Sequence, residues 1–238
     1  NTLCPSATGG PASANGRALT GCVATAMSQI MYYHKHPVTG AGSYTSTADG
    51  RTVNPGTTTY QWSQMTDNPT DANDAIAALM YHCGIIANTK YGANGSVGDL
   101  QSILTGMPKY FKYHSSIARW GRDVNTSAPP QYTGDWIALI KDNLDKKRPV
   151  IYAGKCSAMN NISHAFVCDG YDASNKFHMN WGFGSTVPNG YYSLLNSFND
   201  NVLGSVSDHR AIVNIFPAGV GVEDEDLSSA LNVYPNPT

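Results

Sequence analysis

Trp136-Ile137-Ala138-Leu139-Ile140-Lys141-Asp142-Asn143-Leu144, then Arg148-Pro149-Val150-Ile151-Tyr152-Ala153, is where the chain changes its period. Before Pro149 the apolar residues recur at helical spacing, and after it they follow the two-residue period of strands. Working back toward the N-terminus, the spacing predicts helices over 136–144, 97–104, 72–86 and 22–35. The last has Thr20 as its N-cap and is stopped before Pro37. Val23, Met27, Ile30 and Met31 share one face of it, which predicts burial along that side. Residues 38–70 carry Gly40, Gly42, Asp49-Gly50 and Asn54-Pro55-Gly56 and read as loop with short strands. Working forward, strands are predicted over 150–153, 165–171, 177–181, 190–195 and 210–216. Helices first and strands second imply an α+β protein: a helical N-terminal lobe on an antiparallel β-sheet C-terminal lobe, with a cleft between them.

The length of 238 residues suits one large domain or two lobes sharing a core. Charged residues make up 13% of the chain, about half the usual globular share. Ser, Thr, Asn and 14 Tyr carry the polarity instead, beside 23 Gly and 13 Pro, a mixture suited to a loop-rich extracellular protein. A formal net charge of −2 provides no basic face, which argues against nucleic acid as a partner. No apolar run approaches the length of a membrane span. Asn1-Thr2-Leu3-Cys4-Pro5 has no signal-peptide character, so the chain is expected to be a processed or trimmed product. Glu223-Asp224-Glu225-Asp226 reads as an acidic linker, dividing a domain over 1–220 from a tail over 221–238.

Cys4, Cys22, Cys83, Cys156 and Cys168 include no C-x-x-C pair, and an odd count leaves at least one thiol free. Cys83, inside a helical pattern, and Cys168, alternating with Phe166, read as small buried hydrophobes. Cys4 and Cys156 are able to pair as a disulfide, and the sequence does not decide it. Cys22 differs because it opens a helix. Unpaired first-turn N–H groups and the helix dipole favour its thiolate, the attacking form of the thiol. The Cys22 N–H would also supply half of an oxyanion hole.

A thiol nucleophile needs a base. His34 and His36 lie at the far end of the Cys22 helix, roughly 18 Å away at about 1.5 Å per residue. His82 falls inside an apolar helix and His114 in a loop, with nothing to orient them; His178 and His209 are further competitors. His164, in Ser163-His164-Ala165-Phe166-Val167, opens a strand and alone is followed by a strand bearing a polar orienter, Asn180. Parity decides what faces the ring. A two- or four-residue turn at Asp172-Ala173-Ser174-Asn175 puts Trp181 on the His164 face. A three-residue turn or a single bulge puts Asn180 there instead. Asn180 is the preferred orienter, since its amide oxygen can accept from an imidazole N–H and an indole cannot. Trp181 and Phe183 would then wall the site against water, unless they serve only as core. His164 and Cys168 have no spacing that fits a four-ligand zinc set, and neither metal nor cofactor is expected.

Thr20-Gly21-Cys22-Val23-Ala24-Thr25-Ala26-Met27-Ser28-Gln29-Ile30-Met31, with Tyr33-His34 and Pro37, resembles the nucleophile region of the streptopain family, secreted bacterial relatives of papain. Ser163 to Gly170 and Phe177-His178-Met179-Asn180-Trp181-Gly182-Phe183-Gly184 resemble that family's histidine strand and its Asn-Trp-Gly strand. The resemblance implies a papain-like fold and an endopeptidase with Cys22, His164 and Asn180 as catalytic residues. Ser163, Trp181, Gly182 and Phe183 would touch a protein or peptide substrate with a bulky apolar side chain two residues before the cut. A propeptide acting as inhibitor is also implied. The family's upstream stretch is expected to lie outside these residues, and none of residues 1–21 is a glutamine, leaving the second oxyanion donor unassigned; Asn15 reads as a turn residue. Val233-Tyr234-Pro235-Asn236-Pro237 resembles the opening of a type IX sorting domain, which implies a secreted or surface protein of a Gram-negative bacterium. The rival readings are papain-like amidase or transglutaminase chemistry and an inactive secreted binding module.

Overall fold

The structure, a computed structural model, describes residues 1–10, 15–67, 69, 71–123, 129–184 and 187–219. Three helices form the first lobe: α1 (Cys22–His34), α2 (Asp74–Ile86) and α3 (Leu100–Phe111). A two-stranded ribbon, β1 (Tyr44–Thr45) and β2 (Thr52–Val53), lies between α1 and α2 in the chain. The second lobe begins with β3 (Ala118–Arg122) and α4 (Trp136–Asp145). It continues through β4 (Val150–Cys156), β5 (Ile162–Tyr171), β6 (Lys176–Asn180), β7 (Gly190–Ser193), β8 (Phe198–Asp200) and β9 (Gly204–Val213). These strands make one seven-stranded antiparallel sheet of order β3-β9-β4-β5-β6-β7, with β8 on β9.

The period-2 pattern of the strands sorts their side chains between two cores. Ile151, Ala153, Ala165, Val167 and Ile212 meet α1, α2 and α3. On the opposite face, Tyr152, Phe166, Cys168, Phe177, Met179 and Trp181 meet Trp136 and Ile140 of α4. The α+β expectation and the helical lobe on an antiparallel sheet both hold. One detail differs: α4 does not join the helical lobe but covers the other side of the sheet.

Several boundaries move for identifiable reasons. Thr20 does not cap α1; the N-cap is Gly21, at φ 94, with no side-chain cap at all. A side chain at Gly21 would press on the Ser96 backbone, its Cβ 3.0 Å from the Ser96 oxygen. The helix predicted over 97–104 starts at Leu100 under an Asp99 cap and runs through Pro108 to Phe111. Proline forfeits one helical hydrogen bond there, and burial of Met107, Tyr110 and Phe111 offsets it. Gly106 lets α3 approach α2, since a Cβ at that position would fall 2.4 Å from Ile86 Cγ2. The sequence reading lacked β3, a five-residue strand that alternates weakly because two arginines share it with Trp120. All five cysteines are unpaired. The acidic linker, the boundary near Gly221 and the sorting-domain tail lie outside the described residues.

Three histidines are shielded from water, His209 fully and His34 and His82 in part. Burial lowers His34, His82 and His209 to about 4 from the ordinary 6.5. The unfolded chain takes up these protons below 6.5 and the folded chain does not until about 4. Stability is therefore fully present above pH 6.5 and is lost as pH falls through that window. Thermal melts taken from pH 7 to 4 should show a falling midpoint, and His209→Phe should flatten the slope.

Candidate active site

Cys22 is the first residue of α1, and that helix start is left open. Without a side-chain cap, the first-turn N–H groups keep their hydrogen-bonding capacity. The N–H groups of Val23 and Cys22 itself favour the thiolate, but the largest contribution among these donors comes from the Ala165 N–H on β5. Strand pairing explains that contact. β6 ends at Asn180, opposite Val167, so two residues back along β5 the side of Ala165 away from β4 has no partner strand, and the sulfur takes the Ala165 N–H. Burial outweighs these donors and pushes the Cys22 thiol up from 9.0.

His164 lies one residue away on β5 and is buried. Its Nε2 is 2.8 Å from the Trp181 carbonyl oxygen. A carbonyl only accepts, so Nε2 carries the proton and Nδ1 is the basic nitrogen. Burial lowers the His164 pKa from 6.5, and the Trp181 carbonyl opposes this by favouring the charged ring. Phe183 stacks on the imidazole at 4.7 Å and 11°, with 36% of its own surface exposed. Among the described residues no hydrogen bond joins the Cys22 sulfur to the ring; resting sites often show such pairs apart.

The preferred orienter was Asn180, and the geometry corrects it. The turn after β5 has three residues, closed by the Asp172 N–H on the Lys176 oxygen, which alone would aim Asn180 at the ring. A register shift between Cys168 and Gly170 adds a bulge at Asp169 and reverses the parity again. The two irregularities cancel. His164 consequently shares its face with Trp181, and the Trp181 backbone supplies the acceptor that the indole lacks. The Asn180 side chain turns to α1, where its Oδ1 accepts from Gln29 Nε2 at 3.0 Å and from the Gly182 N–H at 3.1 Å.

The remaining candidates separate. Phe183 lies against the His164 ring. The Trp181 indole does not; it is 1% exposed in the core against Phe166 and Tyr192. Gly182 has φ +76 and no room for a side chain, since a Cβ would lie 2.9 Å from Thr25 Cγ2. Ser163 is exposed beside His164, and its hydroxyl accepts from Arg210, which Asp208 holds in turn. Asn15 takes a left-handed turn conformation at φ 49. His178 makes a 2.5 Å pair with Asp169, which parity counting did not foresee because it sits on the bulge. Asp169 faces Tyr33, near the far end of α1, and so lies away from Cys22. No cluster of potential metal ligands occurs among the described residues.

The sequence model of the peptidase C10 family matches residues 1–192. The chain is 32% identical to the thiol protease/hemagglutinin PrtT of Porphyromonas gingivalis over 93% of its own length and 25% of that protein. It is also 32% identical to streptopain of Streptococcus pyogenes over 79% of its length and 48% of streptopain. The chain belongs to the peptidase C10 family. Its fold is that of a C10 cysteine protease: active interpain A of Prevotella intermedia superposes with a TM-score of 0.73 at 29% identity, covering 91% of this chain and 89% of interpain A. A prointerpain A fragment from the same organism gives 0.69 at 30% identity over 91% of this chain and 67% of the fragment. The chain spans a quarter to a half of the length of the curated C10 relatives above.

Four of the five thiols are fully enclosed; Cys22 is half-buried. Burial raises Cys156 to about 11 and Cys83 to about 12, and also lifts Cys4 and Cys168. Brief iodoacetamide treatment of this C10 chain should therefore place label on Cys22 alone, read by peptide mass spectrometry. Equal label on Cys83 or Cys168 would show that exposure does not rank these thiols.

Proposed function

We propose that the chain is a secreted cysteine endopeptidase that cleaves proteins through a Cys22 thioester with His164 as its base. The observation that carries this reading is the half-buried thiol at an open helix start, one residue along β5 from a histidine whose Nε2 is committed to a carbonyl. Nδ1 takes the thiol proton, the sulfur attacks the scissile carbonyl, and the oxyanion forms near the Cys22 N–H. The proton returns to the leaving amine, and a water molecule deprotonated by the same nitrogen hydrolyses the thioester. Phe183 limits water at the ring.

The finer features rest on the family resemblance. A bulky apolar side chain is favoured two residues before the cut, and exposed Phe183, Val97 and Ile162 suit an apolar partner. A propeptide would inhibit the enzyme, as the existence of a pro-form of interpain A suggests by analogy. Secretion to the exterior or surface of a Gram-negative cell, by a type IX route, rests on the tail's resemblance to a sorting domain. No described helix is long and apolar enough to cross a membrane.

Casein hydrolysis tests the reading. Cys22→Ala and His164→Ala should each remove nearly all turnover, and the double variant should lose no more, because the pair acts as a unit. Cleavage of small amides alone would favour amidase chemistry, and no turnover by the wild type would favour a binding module. The pH dependence is a second check. With His164 lowered and Cys22 raised, the singly protonated pair spans a wide range. The acid limb of kcat/KM should fall below pH 6.5 and the alkaline limb above 9.0.

A further inference from the structure

Cys22, Thr25 and Gln29 fall at i, i+3 and i+7 of α1, and so form one stripe along the helix. Each touches the sheet lobe in turn. Cys22 meets the Ala165 N–H, Thr25 closes the space beside Gly182, and Gln29 Nε2 donates to Asn180 Oδ1 at 3.0 Å. The Asn180 oxygen also accepts the Gly182 N–H at 3.1 Å. That N–H belongs to the peptide unit whose other end is the Trp181 carbonyl, 2.8 Å from His164 Nε2. In a planar trans peptide the C=O and N–H point in opposite directions and cannot turn independently. One rigid plate is thus gripped on one side by Asn180 and offers its carbonyl to His164 on the other.

We infer that Gln29 is a positioning residue which, through Asn180, fixes the Trp181–Gly182 peptide and with it the orientation of the His164 ring. The inference rests on the reading of Cys22 and His164 as the reacting pair. Its physical content is that one helix sets both members of that pair. The N-terminal turn places the sulfur, and a side chain two turns later sets the acceptor that aims the base. Donation of the Gly182 N–H to Asn180 also polarises the amide, making the Trp181 oxygen a better acceptor for a charged ring. The two oxygen contacts ask only for an acceptor at position 180, which a carboxylate also supplies.

The test compares wild type with Gln29→Ala, Gln29→Met, Asn180→Leu, Asn180→Asp, the Gln29→Ala/Asn180→Leu double variant and Cys22→Ala. Folding is followed by thermal melts. Gln29→Met keeps the length of the side chain and removes the donor, so it serves if Gln29→Ala does not fold. Loss of ring alignment should lower kcat by between about ten- and a hundredfold, the range for a misplaced reacting group, with KM changed less than about twofold. The acid limb of the pH profile should move to lower pH, because the imidazolium loses an acceptor. Asn180→Asp should retain most of kcat, and the double variant should match Asn180→Leu. Unchanged kcat and acid limb in a folded Gln29 variant, multiplying losses in the double variant, or Asn180→Asp as damaging as Asn180→Leu would each overturn the inference. Turnover retained by Cys22→Ala would instead overturn the underlying reading, so the two failures are told apart.

Discussion

The packing of α1 on β5 is the contact on which the rest of the molecule depends. α1 is apolar around most of its circumference: Val23, Ala24, Ala26, Met27, Ile30 and Met31 are all buried. A helix of that kind has no solvent face to spare and must be enclosed between layers. It finds α2 on one side and the Ala165–Val167 face of β5 on the other. The alanines at 153 and 165 matter because small residues let the helix sit close to the sheet. Cys22 and His164 belong to different lobes, and this packing sets the Cys22 sulfur on the N–H of Ala165, the residue next to His164.

Enclosure has an electrostatic cost. A helix start favours an anion at its open N–H groups, whereas removal from water disfavours any charge. At Cys22 the second effect is larger, although three backbone donors oppose it. At His164 the same burial disfavours the imidazolium. Burial thus works against charge on both side chains, and the backbone contacts at each work for it. Gly21 leaves the helix start open: a Ser or Asp in its place would accept from the Val23 or Ala24 N–H, and the Val23 N–H is one of those that favour the Cys22 thiolate.

Much of this was legible from residues alone, for reasons that can be traced. The period change at Pro149 separates the lobes because strand and helix burial demand different spacings. Cys22 stands out because it alone of the five cysteines opens a helix, and His164 because the competing imidazoles lie too far away or lack an orienter. The orienting group was harder to read. Asn180 has the right chemistry, but the three-residue turn and the bulge at Asp169 each shift parity by one, and sequence carries no mark of the second. The acceptor is moreover a backbone carbonyl, which every residue possesses, so no side-chain pattern could point to Trp181. β3 was missed because Arg119 and Arg122 interrupt its alternation, and the end of α3 because Pro108 reads as a breaker until the burial beyond it is known.

The unpaired cysteines have a consequence for how long the molecule lasts. Cys83, Cys156 and Cys168 are sealed inside the two cores and Cys4 is buried outside them, and their protonated sulfurs resist oxidants while the fold persists. Unfolding bares all of them together with Cys22, and an oxidant then cross-links them into pairs that the native fold does not contain. Loss of the native state then becomes a one-way event whose pace is set by the unfolding barrier rather than by an equilibrium constant. A chain without disulfide staples thus depends for its lifetime on the slowness with which α1 leaves its seat on β5.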